Sequence, residues 1–597
     1  MNSIINKYYL FIILNLSIVL MQCDYDYGDI NNDSFLDILD ITEFINFIID
    51  EDIDYDMIYD LNFDDIINVV DIIALINRIL IDEELSVNIL EVGYDFQDLN
   101  LTWSATPDNG FSHYNVYYSN MVSNESMLIY STQVQSDTSI TLSNLALQEQ
   151  NWFVVGMEDF LGCEQYGNQY LFDLPYKTYD IDSLGNVINH SFDINQFDSA
   201  ENCQGCHSVH YEEWSESMHA YTAHSPLFFS YKNTTIENHP EVGDKFCSQC
   251  HNPVAYLTDT DLSLFNSVEE FQSSSLSPVI KEGISCDICH TVTGLSHTIY
   301  TSDNGAASAT YKLYPGENIK FGPLDNPDSN SFHDSFYLPT YTVSEQCLPC
   351  HDLVVRDVEA EITFTEWNRI PGFSMFGGIP CQECHMPEKE DGTHDHTFIG
   401  VDMDLSIPYL ENPLFEKVST MLASSVEMRF DIWNQALPDV ISNLDTLIIP
   451  LTIESLTAHS IPSGTSFNRE AWIEITIEHN DEILFSSGLL TNNTQNLNYE
   501  DDNLLLFKSY LFDVNGDTTN SVIDTHDIDN QSLQAYSQRF KYYDFIIPQE
   551  LDGEINIRAR MLFRPFEPAF IIEHHNEFIN NLPIFEMHAV ESTIIIQ

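Results

Sequence analysis

The sequence predicts a multidomain chain: a small α-helical module built on acidic loops, a β-sandwich, a loop-rich and mainly α region, and a C-terminal β-sandwich. Three observations predict it. The chain has 597 residues, whereas single hydrophobic cores rarely grow past about 250–300 residues. Its hydrophobic patterning changes from spaced acids to period-two alternation, then to short apolar groups, and back to alternation. Ten of its 12 cysteines fall between residues 203 and 384. The 94 Asp+Glu against 20 Lys+Arg give a formal net charge of −74. With 43% hydrophobic and 12% aromatic residues, that acidity does not imply global disorder. It excludes a nucleic-acid or anionic-membrane surface, because phosphate binding needs clustered Lys and Arg.

Residues 1–22 read as a signal peptide. Tyr8 to Met21 is a fourteen-residue apolar run broken only by Asn15 and Ser17; a bilayer-spanning helix needs about 20 such residues. Leu20-Met21-Gln22-Cys23 resembles a bacterial lipoprotein box, which makes Cys23 the candidate lipid anchor. Gln22 departs from the small residue usual there, and the alternative is plain secretion with Cys23 free or disulfide-bonded. Either way the expected location is outside the cytoplasm: periplasm, outer cell surface or extracellular space.

Residues 23–85 form the first module. Between Asp24 and Leu85 stand nineteen acidic residues and one basic residue, Arg78. Asp29, Asn31, Asp33, Asp37 and Asp40 occupy positions 1, 3, 5, 9 and 12 of a calcium loop, and Asp60, Asn62, Asp64, Asn68 and Asp71 repeat that spacing 31 residues later. Alternating oxygen ligands in a tight loop can converge on one Ca²⁺. Each loop runs into an apolar helical pattern, Ile41, Phe44, Ile45 and Ile48, then Ile72, Leu75, Ile76 and Ile79. The repeat resembles dockerin modules, which implies about two bound Ca²⁺ ions and a cohesin-like partner. Position 6, often Gly in such loops, is Ser34 in one and Asp65 in the other.

Residues 86–176 change character. Leu101-Thr102-Trp103, Tyr114 to Tyr118 and Trp152 to Val155 alternate as strands do, and Pro107-Asp108-Asn109-Gly110 is a turn cluster. This pattern resembles a fibronectin type III domain, with Trp152 where that family usually has a late Tyr. The resemblance implies a spacer or adhesive module. Cys163 near its end reads as a lone thiol.

Residues 189–400 carry the chemistry. Five copies of one pattern occur: Cys203-Gln-Gly-Cys206-His207, Cys247-Ser-Gln-Cys250-His251, Cys286-Asp-Ile-Cys289-His290, Cys347-Leu-Pro-Cys350-His351 and Cys381-Gln-Glu-Cys384-His385. The spacing suits c-type haem: two thiols reach the two vinyl groups and the adjacent His ligates iron. Zinc ribbons or a disulfide framework would not need His after the second Cys every time. At about 40 residues per haem, five covalent porphyrins would supply much of the apolar interior, so short helices and long loops are expected.

Nine further histidines lie here: His190, His210, His219, His224, His239, His297, His333, His394 and His396. The stretch from Tyr211 through Trp214 and Ser217 to His219 resembles the opening of the cytochrome c-552/c-554 type of multihaem domain. In that family the His of this stretch is a distal haem ligand, which implies the same for His219. His297 follows the third motif as the family's Gly-x-x-His segment does. His396 follows the fifth motif and its Met386-Pro387 as the family's late distal His does. His333, before the fourth motif, is the fourth distal candidate. The fifth is open among His210, His224, His239 and His459.

Residues 401–597 alternate again, in Leu447 to Ile453, Ala471 to Ile477 and Glu554 to Leu562. With Phe563-Arg564-Pro565-Phe566, this part resembles the β-sandwich that often follows the haem domain in multihaem cytochromes. Within it, His459-Ser-Ile-Pro462-Ser-Gly464 reads by preference as a turn, with His459 at the sandwich edge. Asp513-Val-Asn515-Gly-Asp517 has calcium-loop spacing through Asp524, but reads better as a β-turn.

The expected function is an exported pentahaem c-type cytochrome that moves electrons among covalent haems, with redox partner proteins presenting a basic face. Its rival is a multihaem oxidoreductase acting on a small nitrogen or sulfur compound at one five-coordinate haem; no catalytic residue is assigned. The Cys-x-x-Cys-Lys motif characteristic of ammonia-forming nitrite reductases is absent from the sequence. A surface scaffold protein, the third reading, leaves five haems unused.

Overall fold

The computed structural model of the chain describes residues 28–31, 38–49, 59–61, 66–80, 87–94, 96, 98–106, 111–120, 126–143, 145, 147, 150–159, 164–181, 187–188, 190, 192–296, 306–307, 309–325, 327–328, 330–372, 378–490 and 495–597. The segment 1–22, Cys23, Asp33, Asp37, Asn62, Asp64, the turn 107–110, Cys163 and His297 lie outside the described residues. The chain divides into two compact units, Met1–Pro175 and Tyr176–Gln597.

In the first unit, each acidic loop leads into a twelve-residue helix, Ile38–Ile49 and Val69–Leu80. Phe44, Leu61, Ile72 and Leu75 form the shared core, and Phe47 stacks on Tyr59 at 3.7 Å. Ile45, expected on the apolar stripe, is 39% exposed instead. One turn of this short helix has room for Phe44 and for the flanking Ile41 and Ile48 against the second helix.

The β-sandwich has two sheets. Ile89–Tyr94, Asp98–Trp103 and Ser139–Ser143 make one. In the other, Phe111–Asn120 lies between Met127–Thr132 and Gln150–Asp159, with Glu164–Tyr166 and Tyr170–Asp173 on the far side. Alternation sets the faces: Leu99, Leu101 and Trp103 point inward, as do Tyr114, Val116 and Tyr118. Trp103 meets Tyr114 edge-on at 5.8 Å, and the Tyr114 hydroxyl accepts from the Thr106 amide. Phe153, not Trp152, fills the core from the late strand, because period two turns Trp152 to the opposite face.

After a ribbon of Asp180–Ile181 with Val187–Ile188, the second unit continues in short helices, the longest described being Pro226–Asn238 at 13 residues. Small β ribbons interrupt them, which the mainly α expectation lacked. Val292–Ser296 pairs with Thr310–Leu313, Ile319–Gly322 runs parallel to Asp334–Tyr337, and Leu353–Val355 turns back on Val358–Glu361. Long connections between motifs can satisfy their backbone groups by pairing with one another.

From Val426 onward the unit is a β-sandwich. Val426–Arg429, Thr446–Ser455 and Gln538–Ile546 form one sheet; the other runs Val440–Ile441, Phe585–Ile596, Gly553–Arg564, Glu470–His479 and Glu482–Ser487, with Leu505–Phe507 also on Glu470–His479. These strands contain the three runs read from the sequence. Their core extends to Met403, Leu414 and Leu422, and Met218, Leu227 and Tyr231 pack against it. The motif-bearing region and the sandwich therefore share one interior, although the sequence divides at residue 400.

Strand Glu470–His479 is buried on both faces over its first eight residues. The face alternation would leave open is covered by Leu497 and Leu562 on Trp472, and by Arg564, whose Nε donates to Glu470 at 2.6 Å. Asp513 to Asp517 is a hairpin turn: its amides bond back to the Asp513 carboxylate, and Asp524 instead pairs with His239. Among the described residues no helix is long and apolar enough to cross a membrane.

Candidate haem centres

Local helix geometry assembles each motif. Motifs two, three and five lie within Lys245–His251, Cys286–His290 and Cys381–His385. In the first motif the His207 amide donates to the Cys203 carbonyl at 2.9 Å, and in the fourth His351 donates to Cys347 at 3.1 Å. In such a turn, residues i, i+3 and i+4 share one face. Both thiols and the imidazole are thereby presented together.

Four of the five motif histidines face a second histidine at one common spacing. His207 pairs with His333, His351 with His219, His290 with His396 and His385 with His459, each with ring centroids 6.3 Å apart. Two metal–imidazole bonds of about 2.0 Å, with the half-width of each ring, separate centroids by about 6.2 Å. The gap fits one iron held from both sides.

The protonation chemistry agrees. Burial pushes His219 and His396 down to about 3, and His351 and His251 to about 4. Neutral rings offer a lone pair to a metal. Several are oriented by their other nitrogen: Nδ1–H of His290 donates to the Phe321 carbonyl at 2.7 Å, His396 to His394 at 2.8 Å and His459 to Ser460 at 3.0 Å. Such a bond fixes the tautomer and turns Nε2 toward the gap.

The fifth motif histidine differs. His251 is stacked on Phe228 at 4.8 Å, and among the described residues no histidine faces it at the spacing of the other four. The remaining sequence candidates are engaged elsewhere. His210 meets His396 edge-on at 4.8 Å, and His239 is tied to Asp524 and Glu241. His224 lies in the field of Asp404, and no ring faces it at the spacing of the four pairs among the described residues.

His459 is the one of the four open candidates whose ring stands opposite a motif histidine at that spacing. It sits in the bend that follows strand Thr446–Ser455, half-buried, with its ring opposite that of His385. Its place beyond the last motif concealed it, and the polar segment Ser460 to Ser466, buried at most positions, is the only local signal.

The cysteines link the motifs to one another. Cys286 lies in the field of Cys203, Cys250 in that of Cys350, and Cys347 in that of Cys381. Tyr311 lies in the field of Cys250, Cys289, Cys347 and Cys350. The five sites are thus immediate neighbours.

The family described as cytochrome c554 and c-prime matches residues 202–291, which hold the first three motifs. The chain carries a multihaem cytochrome c domain. No curated relative matches the sequence. Among solved structures, a penta-heme cytochrome c552 from Thermochromatium tepidum is 20% identical, covering 68% of this chain and 100% of its own, with a TM-score of 0.47. An Fn3-like protein from Clostridium thermocellum is 23% identical over 15% of this chain and 88% of its own, with a TM-score of 0.13.

On the two acidic loops, the described end positions are buried: Asp29 and Asp40 in the first, Asp60 and Asp71 in the second. Asp40 accepts from the Asn31 amide and Asp71 from the Asn68 amide, closing each loop on its own helix. The middle positions Asp33, Asp37, Asn62 and Asp64 are outside the described residues.

Proposed function

We propose that this chain is an exported pentahaem c-type cytochrome that exchanges electrons among five covalently attached haems. The observation that carries the reading is the recurrence of one 6.3 Å imidazole spacing at four of the five motifs. Bound haem supplies one-electron chemistry; the protein's own residues attach it, hold the iron and order the centres. Cys203, Cys206, Cys247, Cys250, Cys286, Cys289, Cys347, Cys350, Cys381 and Cys384 provide the thioethers. His207, His251, His290, His351 and His385 are the proximal ligands, with His333, His396, His219 and His459 opposite four of them. An iron held by two histidines has no open position, so it transfers electrons without binding a substrate. A partner with a basic face suits the acidity of the chain, and calcium at the two acidic loops suits their buried end residues. Dockerin-like and fibronectin-like roles for the first unit stand beside this reading as proposals.

The centre at His251 supports a second reading. His297 is the distal candidate that the four pairs leave unassigned; without a ligand from it, this centre is open and the chain binds a small molecule there. Electron paramagnetic resonance of the fully ferric protein separates the two. Only low-spin signals, with one high-spin centre created by His297→Ala, support the carrier; a high-spin signal of about one centre in five in the unaltered protein establishes the open site.

A further inference from the structure

One charged cluster lies where the motifs meet. Arg469 follows the segment that carries His459, and its Nη2 donates to Asp402 Oδ2 at 2.7 Å while Nη1 donates to the Ser463 carbonyl at 2.7 Å. Among its other donors, Nε–H is buried with no partner, and so is the other Asp402 oxygen, Oδ1. A buried guanidinium donor left unpaired is costly, so the site is built for an acceptor the polypeptide does not supply. Gly464 makes room for it: at φ +66°, a side-chain carbon there would stand 3.2 Å from Arg469 Nη1.

The neighbours of the cluster are haem ligands. The charge on Arg469 bears on His351 and His459, one ring from each of two adjacent pairs, and Asp402 bears on His251. The other carboxyl in the field of Arg469 and Asp402 is Glu361, which burial pushes up toward its neutral form. The acceptor that belongs between those centres is a carboxylate, and a haem carries two at its edge. An arginine fork matches a carboxylate closely.

Resting on the pentahaem reading above, we propose that Arg469 binds a haem carboxylate between the fourth and fifth motifs, and that its fixed charge raises the reduction potentials of those two centres. Reduction adds an electron, and a nearby positive charge in a low-dielectric interior favours that state. Asp402 opposes the effect and holds the guanidinium in place.

The test is a potentiometric titration of the holoprotein followed by electron paramagnetic resonance, for the unaltered chain and for Arg469→Gln, Arg469→Lys and Asp402→Asn. Removing the charge in Arg469→Gln should lower the reduced-to-oxidised ratio of two centres about tenfold at a fixed applied potential, about 59 mV for one electron. Arg469→Lys should recover most of that ratio, and Asp402→Asn should move it the opposite way. If Arg469→Gln does not load haem, the opposed shifts of the other two variants carry the test. Unmoved potentials in fully loaded variants, or equal shifts in the Gln and Lys variants, overturn the proposal. Fewer than five haems per unaltered chain by pyridine haemochrome assay would overturn the pentahaem reading instead.

Discussion

At the scale of single residues, buried charge and buried imidazole do different work. Arg564 and Glu470 are fully buried against each other, with Trp472 under the guanidinium and Tyr499 and Lys508 at the margins. Arg564→Ala leaves the Glu470 carboxylate with the Tyr499 hydroxyl and the more distant Lys508 ammonium, and should cost about 3 kcal/mol. Chemical denaturation checks this, and the Arg564→Met, Glu470→Leu double variant should recover most of the loss. Glu361 is the other telling residue. Burial and the Asp402 charge push its carboxyl up to about 7, against the pull of Arg469. The folded state therefore holds that proton more tightly than the unfolded chain does. Its contribution to stability is complete below the ordinary carboxyl range and is lost as the pH rises toward 7. Glu361→Gln should flatten the fall in unfolding temperature between pH 5 and 7; an unchanged slope would count against a buried Glu361. For ligation, His459→Ala should convert one low-spin centre to high spin while leaving the other described pairs intact, since His459 faces only His385 among the iron-spaced rings.

At the scale of elements, most of what was legible in the sequence was periodic. The two helices after the acidic loops follow from apolar residues three and four apart, and the long strands from alternation. Ile45 was misplaced because period alone does not say how wide the buried stripe is. The short ribbons between motifs carry too few residues to show a period at all. The two-helix module offers a direct test. Among the described residues only four buried ones make its core, so Phe44→Ala should cost about 3–5 kcal/mol and unfold it. Chelating calcium should have the same effect if the acidic loops bind the ion, because their clustered carboxylates then repel. Circular dichroism of the helical signal, read with the haem absorption as an internal control, checks both.

At the scale of the whole molecule, the charge of −74 sets how the protein meets others. Electron exchange with a small basic cytochrome should slow steeply as ionic strength rises from 10 to 200 mM, because screening shortens the reach of the acidic field. Exchange with a neutral chemical reductant should change little under the same conditions, and stopped-flow spectroscopy distinguishes the two.

The sequence by itself determined the attachment chemistry. Two cysteines and a histidine at fixed spacing are a local matter, settled within one helical turn. It also determined the family resemblance around His219, since that ligand lies on a short stretch after the first motif. Tertiary structure alone decided the partners. His333 crosses back to His207, His219 reaches the fourth motif, and His459 arrives from beyond the fifth. These pairs join residues up to 132 positions apart. No local pattern encodes such a choice, because it is made by which buried surfaces pack together when the motif-bearing helices and the C-terminal sandwich share one core.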